Sequence, residues 1–157
     1  MKKLKFDAEE LIKIAISIEK EGAVFYKNAS ENCQQLSFSH TLNELAYMEL
    51  DHEKYFSSLL KDLSVKNNDT IAISPDEQAY QIAKTLTKTF FKFNSDKDHS
   101  LKEILDKALK IEQCSIDFYD SLRKVFPEMK NGTDIDLIIK EEQKHLEIIR
   151  QGMTNYL

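Results

Sequence analysis

The sequence predicts an all-α fold, an antiparallel bundle of four long helices arranged as two hairpins. Three observations predict it. Only 3 Gly and 2 Pro are spread over 157 residues, beside abundant Leu, Ile, Lys and Glu, so the chain is poor in turn formers and rich in helix formers. Apolar residues recur at the spacing of one helical face over four long segments. The segments are joined in the order short, long, short, and short connections force antiparallel neighbours. With 41% hydrophobic residues the chain suffices for one domain, 1–157, around one core.

The first helix is expected over 6–32, where Leu11, Ile14, Ala15, Ile18, Phe25 and Ala29 share a face with Gly22. The second, over 37–63, repeats the pattern through Leu42, Leu45, Ala46, Phe56, Leu59 and Leu60, and the turn formers of "SVKNNDT" end it. Residues 64–99 read as a crossover in which Pro75-Asp76 starts a short helix reaching about Phe93. Lys84, Lys88 and Lys92 form its solvated face, and Phe90, Phe91 and Phe93 cap the bundle. The third helix, over 100–125, opens on Ser100 and Glu103 at capping-box spacing and stops before Pro127. The fourth, over 134–152, takes Thr133 or Asp134 as its N-cap and ends near Gly152. Two hairpins joined by one long crossover are the connectivity of a ferritin-like four-helix bundle.

A net charge of −5, with lysines dispersed along the helices, argues against a nucleic-acid partner, which needs a basic face. No apolar run approaches the ~18 residues of a membrane span, and "MKKLKFDAEELIK" carries acids where a secretory signal needs an apolar stretch, so no membrane partner and a cytoplasmic location are expected. Cys33 and Cys114 stand far apart with no second Cys near either, which excludes a paired-thiolate metal site and leaves two reduced cysteines.

The two hairpins repeat at a single offset of 93 residues. Glu19 maps onto Glu112, Tyr26 onto Tyr119, Glu49 onto Glu142 and His52 onto His145, and Phe25 and Phe118 also correspond. The polar positions repeat better than most of the core. Each half therefore supplies a Glu, a Tyr two turns later, and a Glu-x-x-His on its second helix, whose two residues share a face at i, i+3. One Glu from each of two helices and Glu-x-x-His from each of the other two is the interior ligand set of di-iron and di-manganese carboxylate bundles.

Charge gives the physical reason. Glu19 beside Ile18 and Glu112 beside Ile111 point inward, and four carboxylates converging in a core cost several kcal/mol each unless protonated or neutralised. Two divalent cations balance them, and hard oxygens with two imidazoles suit Fe or Mn, with Zn also able to bind. Two Fe ions are the first choice. The offset pairs Glu21 with Cys114 and Glu141 with Met48, so Glu21 and Glu141 read as solvated helix acids rather than ligands. Tyr26 lies ~10.5 Å along the helix from Glu19, but a helical side chain leans toward the N-terminus, so its hydroxyl and that of Tyr119 can reach a ligand carboxylate. His40 and His99 do not repeat and read as surface residues.

"IEKEGAVFY" and "IEQCSIDFY", each followed by its Glu-x-x-His, resemble the rubrerythrin branch of the ferritin-like superfamily over nearly the whole chain. The resemblance implies a non-haem di-iron centre with Glu49 and Glu142 bridging, Glu19 and Glu112 as outer carboxylates, and His52 and His145 as terminal ligands. It implies redox chemistry with dioxygen or hydrogen peroxide, an external electron donor such as a rubredoxin-type protein, and a homodimer. The alternatives are an iron-binding or storage protein and a helical interaction protein with a structural metal. The chain departs from the family where rubrerythrins carry a further carboxylate on the third helix, which is Ser115 here, and in lacking a rubredoxin domain's Cys-x-x-Cys pairs. Leu50 stands where bacterioferritins have a haem-ligating Met, and no fifth helix follows the fourth as it does in cage-forming ferritins. On this register, Glu142→Ala is expected to remove the metal pair and Glu141→Ala to leave it, as metal analysis of the two variants would show.

Overall fold

A three-residue connection leaves a helix no course but to return along its neighbour, and residues 33–35 join the first two helices in this way. The computed structural model describes residues 6–66, 72–73, 77–95, 99–125 and 132–157. Helices α1 (Ala8–Asn32) and α2 (Leu36–Lys66) form the first hairpin, and α4 (Leu101–Val125) and α5 (Gly132–Tyr156) form the second. Between them α3 (Glu77–Ser95) packs across α1 and α4. The architecture is the ferritin-like four-helix bundle, with a helix inside its long crossover.

Leu11, Ile12, Ala15, Ile18 and Phe25 of α1 meet Leu42, Leu45 and Phe56 of α2, and Leu105, Ala108, Phe118 and Leu122 of α4 meet Ile135, Ile138 and Ile149 of α5 in one continuous core. Each large apolar side chain so buried contributes about 1.5–3 kcal/mol. Ala83 and Leu86 of α3 extend this core outward. Hydroxyls tie the helix ends together. Ser39 donates to the Ser30 carbonyl at 2.6 Å across the first hairpin, and the Ser37 and Tyr156 hydroxyls lie 2.8 Å apart between α2 and α5. Ser100 and Glu103 exchange reciprocal 3.2 Å hydrogen bonds, a capping box that satisfies two exposed amides at the start of α4.

Four boundaries of the long helices differ from the sequence expectation by two residues or more. Phe6 and Asp7 are not helical: they form β1 (Phe6–Asp7), antiparallel to β2 (Ala72–Ile73) of the crossover, so α1 begins at Ala8. The long-range backbone pairing decides the N-terminal conformation there. Helix α2 runs to Lys66, three residues past the expected end, because the Ser and Val of the terminating stretch do not by themselves break a helix. Helix α5 begins at Gly132, so Thr133 and Asp134 lie within it rather than at its N-cap, and it continues through Gly152 to Tyr156. Pro75, Asp76 and Pro127 lie outside the described residues, as do the side chains of Thr133 and Asp134 and those of Phe90, Phe91, Lys92 and Phe93.

Gly152 is thus a packing glycine rather than a helix cap. A Cβ there would lie 2.5 Å from Phe38 Cζ and 2.7 Å from its Cε2, and the buried Phe38 ring is backed by Tyr156 at 5.1 Å. Helix propensity alone would make Gly152→Ala stabilising by about 1 kcal/mol. The clash is worth more, about 1–3 kcal/mol. Gly152→Ala is expected to lower stability in urea unfolding, and combining it with Phe38→Leu to recover part of the loss. A stabilised single variant would contradict this packing.

Candidate metal centre

Six polar side chains occupy the middle of the bundle, each 5% exposed or less: Glu19 of α1, Glu49 and His52 of α2, Glu112 of α4, and Glu142 and His145 of α5. Every one is a residue that the 93-residue repeat singles out. Helical spacing brings each onto the core face, since Glu19 and Gly22 are one turn apart, as are Glu49 and His52. Gly22 lies against the site, since a Cβ there would be in ordinary contact with the Glu49 carboxyl carbon at 3.5 Å.

The side chains form two overlapping groups. Glu19, Glu49, His52 and Glu142 bring one donor atom each within 4.8 Å of one another, and Glu49, Glu112, Glu142 and His145 do the same. Glu49 and Glu142 belong to both. The imidazoles stack at 5.7 Å with Nδ1 of each turned to the carboxylates. His52 Nδ1 lies 2.7 Å from Glu142 Oε1 and 3.4 Å from Glu19 Oε2, and His145 Nδ1 lies 3.3 Å from Glu142 Oε2 and 3.4 Å from Glu49 Oε1. Close as they are, the two Nδ1 atoms, Glu19 Oε2, Glu112 Oε2 and Glu142 Oε1 are buried with no properly directed hydrogen bond. Lone pairs that converge without satisfying one another suit a pair of cations. Four carboxylates and two imidazoles are the donors that hold Fe, Mn or Zn.

Both tyrosine hydroxyls reach carboxylates, each in the opposite half. Tyr26 of α1 donates to Glu112 of α4, and Tyr119 of α4 donates to Glu19 of α1. A single antiparallel register accounts for both, since seven residues forward on α1 is seven residues back on α4. Burial first, and then the neighbouring carboxylates, hold both phenols well above their ordinary pKa, so both remain donors. Tyr119 is itself packed against the Phe56 ring at 5.1 Å.

Glu141 departs from its expected role. It is about half exposed and belongs to neither donor set, as a solvated acid would, but its Oε2 also lies 2.6 Å from His52 Nε2, which makes it a partner of the site. The doubled acid of "EEQKH" was the only available signal, and it does not say which neighbour the first Glu meets. Ser115 is buried with its hydroxyl donating to the Ile111 carbonyl at 2.9 Å, and its counterpart in the repeat is Gly22, so neither adds a carboxylate. His40 is exposed, and His99 lies 3.5 Å from Glu103 at the start of α4, away from the cluster. Cys33 falls in the connection after α1, and both thiols are free.

Electrostatics separates the carboxyls. Burial, followed by the charge of Glu142, raises the pKa of Glu19, Glu49 and Glu112. Burial alone would also raise Glu142, but contacts with Glu112, His145 and His52 outweigh it and hold Glu142 far below the carboxylate range. For His52 burial would lower the pKa, yet Glu142 and Glu19 push it up to about 12, and His145 moves the same way. Burial thus pushes three of the carboxyls up, while the imidazoles and Glu112 pull Glu142 down.

The sequence model of the Rubrerythrin family matches residues 10–152. No curated protein matches the chain. Among solved structures, a Thermotoga maritima protein assigned as ferritin-like and diiron-carboxylate superposes with a TM-score of 0.74 at 23% identity, covering 98% of both chains. Likeness at that identity speaks for the fold. No helix among the described residues is long and apolar enough to cross a membrane.

The shifts fix a sign for pH. Glutamates in the unfolded chain titrate near 4.5, and the raised Glu19, Glu49 and Glu112 keep their protons beyond it, so folded protein holds more protons and stability falls as pH rises. His52, 6.5 unfolded and about 12 folded, adds to the fall above 6.5. Glu142 acts oppositely, and its contribution is complete once pH exceeds 4.5. The metal-free protein is expected to lose thermal stability between about pH 5 and 9, while the stabilisation from added Mn(II) grows over that range as the ion displaces protons. Thermal denaturation with chelator and with metal checks both, and a metal-free Tm rising toward pH 9 would contradict the assignment.

Proposed function

Because this chain belongs to the rubrerythrin family, we propose that it is a di-iron carboxylate oxidoreductase reducing hydrogen peroxide or dioxygen. One observation carries the reading: two buried four-residue donor sets share Glu49 and Glu142. On this reading Glu49 and Glu142 would serve both ions, with Glu19 and His52 completing one donor set and Glu112 and His145 the other. Bound there, a ferrous pair would supply the two electrons that, with two protons, reduce one peroxide to two waters.

The chain's own contribution is geometry, charge and dryness. Four carboxylates offset the charge of two divalent ions, and the surrounding Phe25, Phe56 and Phe118 exclude water from them. Tyr26 and Tyr119 hold the outer carboxylates through their phenol protons and limit how far Glu112 and Glu19 swing when the charge at the site changes. Glu141 keeps the His52 ring oriented. Neither cysteine belongs to a paired-thiolate motif, so reducing electrons come from a donor outside these residues, a rubredoxin-type protein on the family resemblance. The same resemblance supports a homodimer, and the acids of "MKKLKFDAEELIK", where a secretory signal needs an apolar run, support a cytoplasmic setting.

A second reading has its own support. Ser115 leaves the α4 side of the site without the additional carboxylate of typical rubrerythrins, which favours oxidation of iron by dioxygen during loading over peroxide turnover. Anaerobic loading with Fe(II) followed by rapid mixing with each oxidant separates the two. Faster oxidation by peroxide, at about two irons per chain, supports the first. Uptake well beyond that stoichiometry supports storage, and no oxidation by either leaves a structural metal site. Glu142→Ala is expected to abolish both ions because both sets use it, whereas Glu112→Ala retains one. Retention of both ions by Glu142→Ala would defeat the shared-ligand arrangement.

A further inference from the structure

The two halves contribute matching ligands but unequal support behind them. His52 of the first hairpin presents Nδ1 to the carboxylates and Nε2 to Glu141 of the second hairpin, 2.6 Å away. In the 93-residue repeat the residue equivalent to Glu141 is Met48, whose thioether is at best a weak acceptor. His145 turns Nδ1 to the carboxylates while its buried Nε2 meets no acceptor among the described residues. The other supports are balanced. Tyr119 serves Glu19 as Tyr26 serves Glu112, Glu49 and Glu142 are common to both sets, and both imidazoles are buried.

A carboxylate facing one imidazole nitrogen keeps the proton there, which leaves the lone pair of the other nitrogen free for a metal, fixes the ring and raises its basicity. Loss of such a partner typically costs 10–100-fold in metal affinity. We propose that Glu141 makes the two metal positions unequal: the position formed by Glu19, Glu49, His52 and Glu142 fills first and holds its divalent ion more tightly than the one formed by Glu49, Glu112, Glu142 and His145. Glu141 is a positioning residue, acting through His52. The inference rests on the two-metal reading of the site, and its consequence is a populated one-ion form that precedes the pair.

The test is an anaerobic titration of metal-stripped, full-length protein with Co(II), followed by calorimetry and visible absorption. Two resolved steps are expected, the first tighter by about 10-fold or more. Glu141→Ala should weaken the first step by about 10–100-fold and leave the second unchanged, merging the two. Glu141→Gln, which retains an acceptor oxygen, should restore part of the difference. Met48→Glu should tighten the second step. In crystals grown with one equivalent of Co(II), anomalous scattering should place the ion beside His52. A single unresolved step in the unmodified protein, equal weakening of both steps in Glu141→Ala, or first occupancy beside His145 would overturn the inference. Absence of any cobalt binding would overturn the two-metal reading itself and this inference with it.

Discussion

The structure depends on a cluster that is unfavourable by itself. Four carboxylates and two imidazoles lie in the middle of the bundle, at a site where neither desolvation nor like charge favours ionised acids. In the metal-free chain burial and the charge of Glu142 raise the pKa of Glu19, Glu49 and Glu112, whereas contacts with Glu112 and both imidazoles lower that of Glu142. Apolar residues in the same places would pack with less penalty. Retaining six polar groups there makes sense when cations offset the carboxylate charge.

That cluster also dictates how the hairpins meet. Within each hairpin the short connection brings two helices together, but nothing in it specifies how the first hairpin sits on the second. The crossed bonds from Tyr26 to Glu112 and from Tyr119 to Glu19 specify that register. Sliding α1 along α4 by one turn would separate both phenols from their acceptors at once and leave buried carboxyl oxygens without partners, at about 1–3 kcal/mol for each. Helix α3 lies across the same two helices on the outside, so the crossover covers the seam that the tyrosines close within.

Duplication supplies the ligands in pairs, and the departures from it are where the halves acquire separate roles. Gly22 and Ser115 are equivalent and both small, yet Ser115 adds a buried hydroxyl that donates to the Ile111 carbonyl where Gly22 has no side chain. Glu141 and Met48 are equivalent, yet only Glu141 offers an acceptor to a histidine. A site with matched ligands can therefore hold two inequivalent positions.

What the sequence by itself determined was local and periodic. Helical spacing shows which face a residue occupies, and the 93-residue offset picks out Glu19, Glu49, His52, Glu112, Glu142 and His145 because the same polar type recurs on the same face twice. Both signals belong to one helix at a time, so they survive without knowledge of its neighbours. Tertiary structure decided what each face meets. It joined each tyrosine to the carboxylate of the other half, turned Glu141 from an apparent surface acid into the partner of His52, drew Phe6 and Asp7 into a strand with the crossover, and carried α5 past Gly152 because Phe38 fills the space a side chain would need. Each of these outcomes rests on a contact between elements distant in sequence, and periodicity along one helix carries no information about the residue that faces it from another.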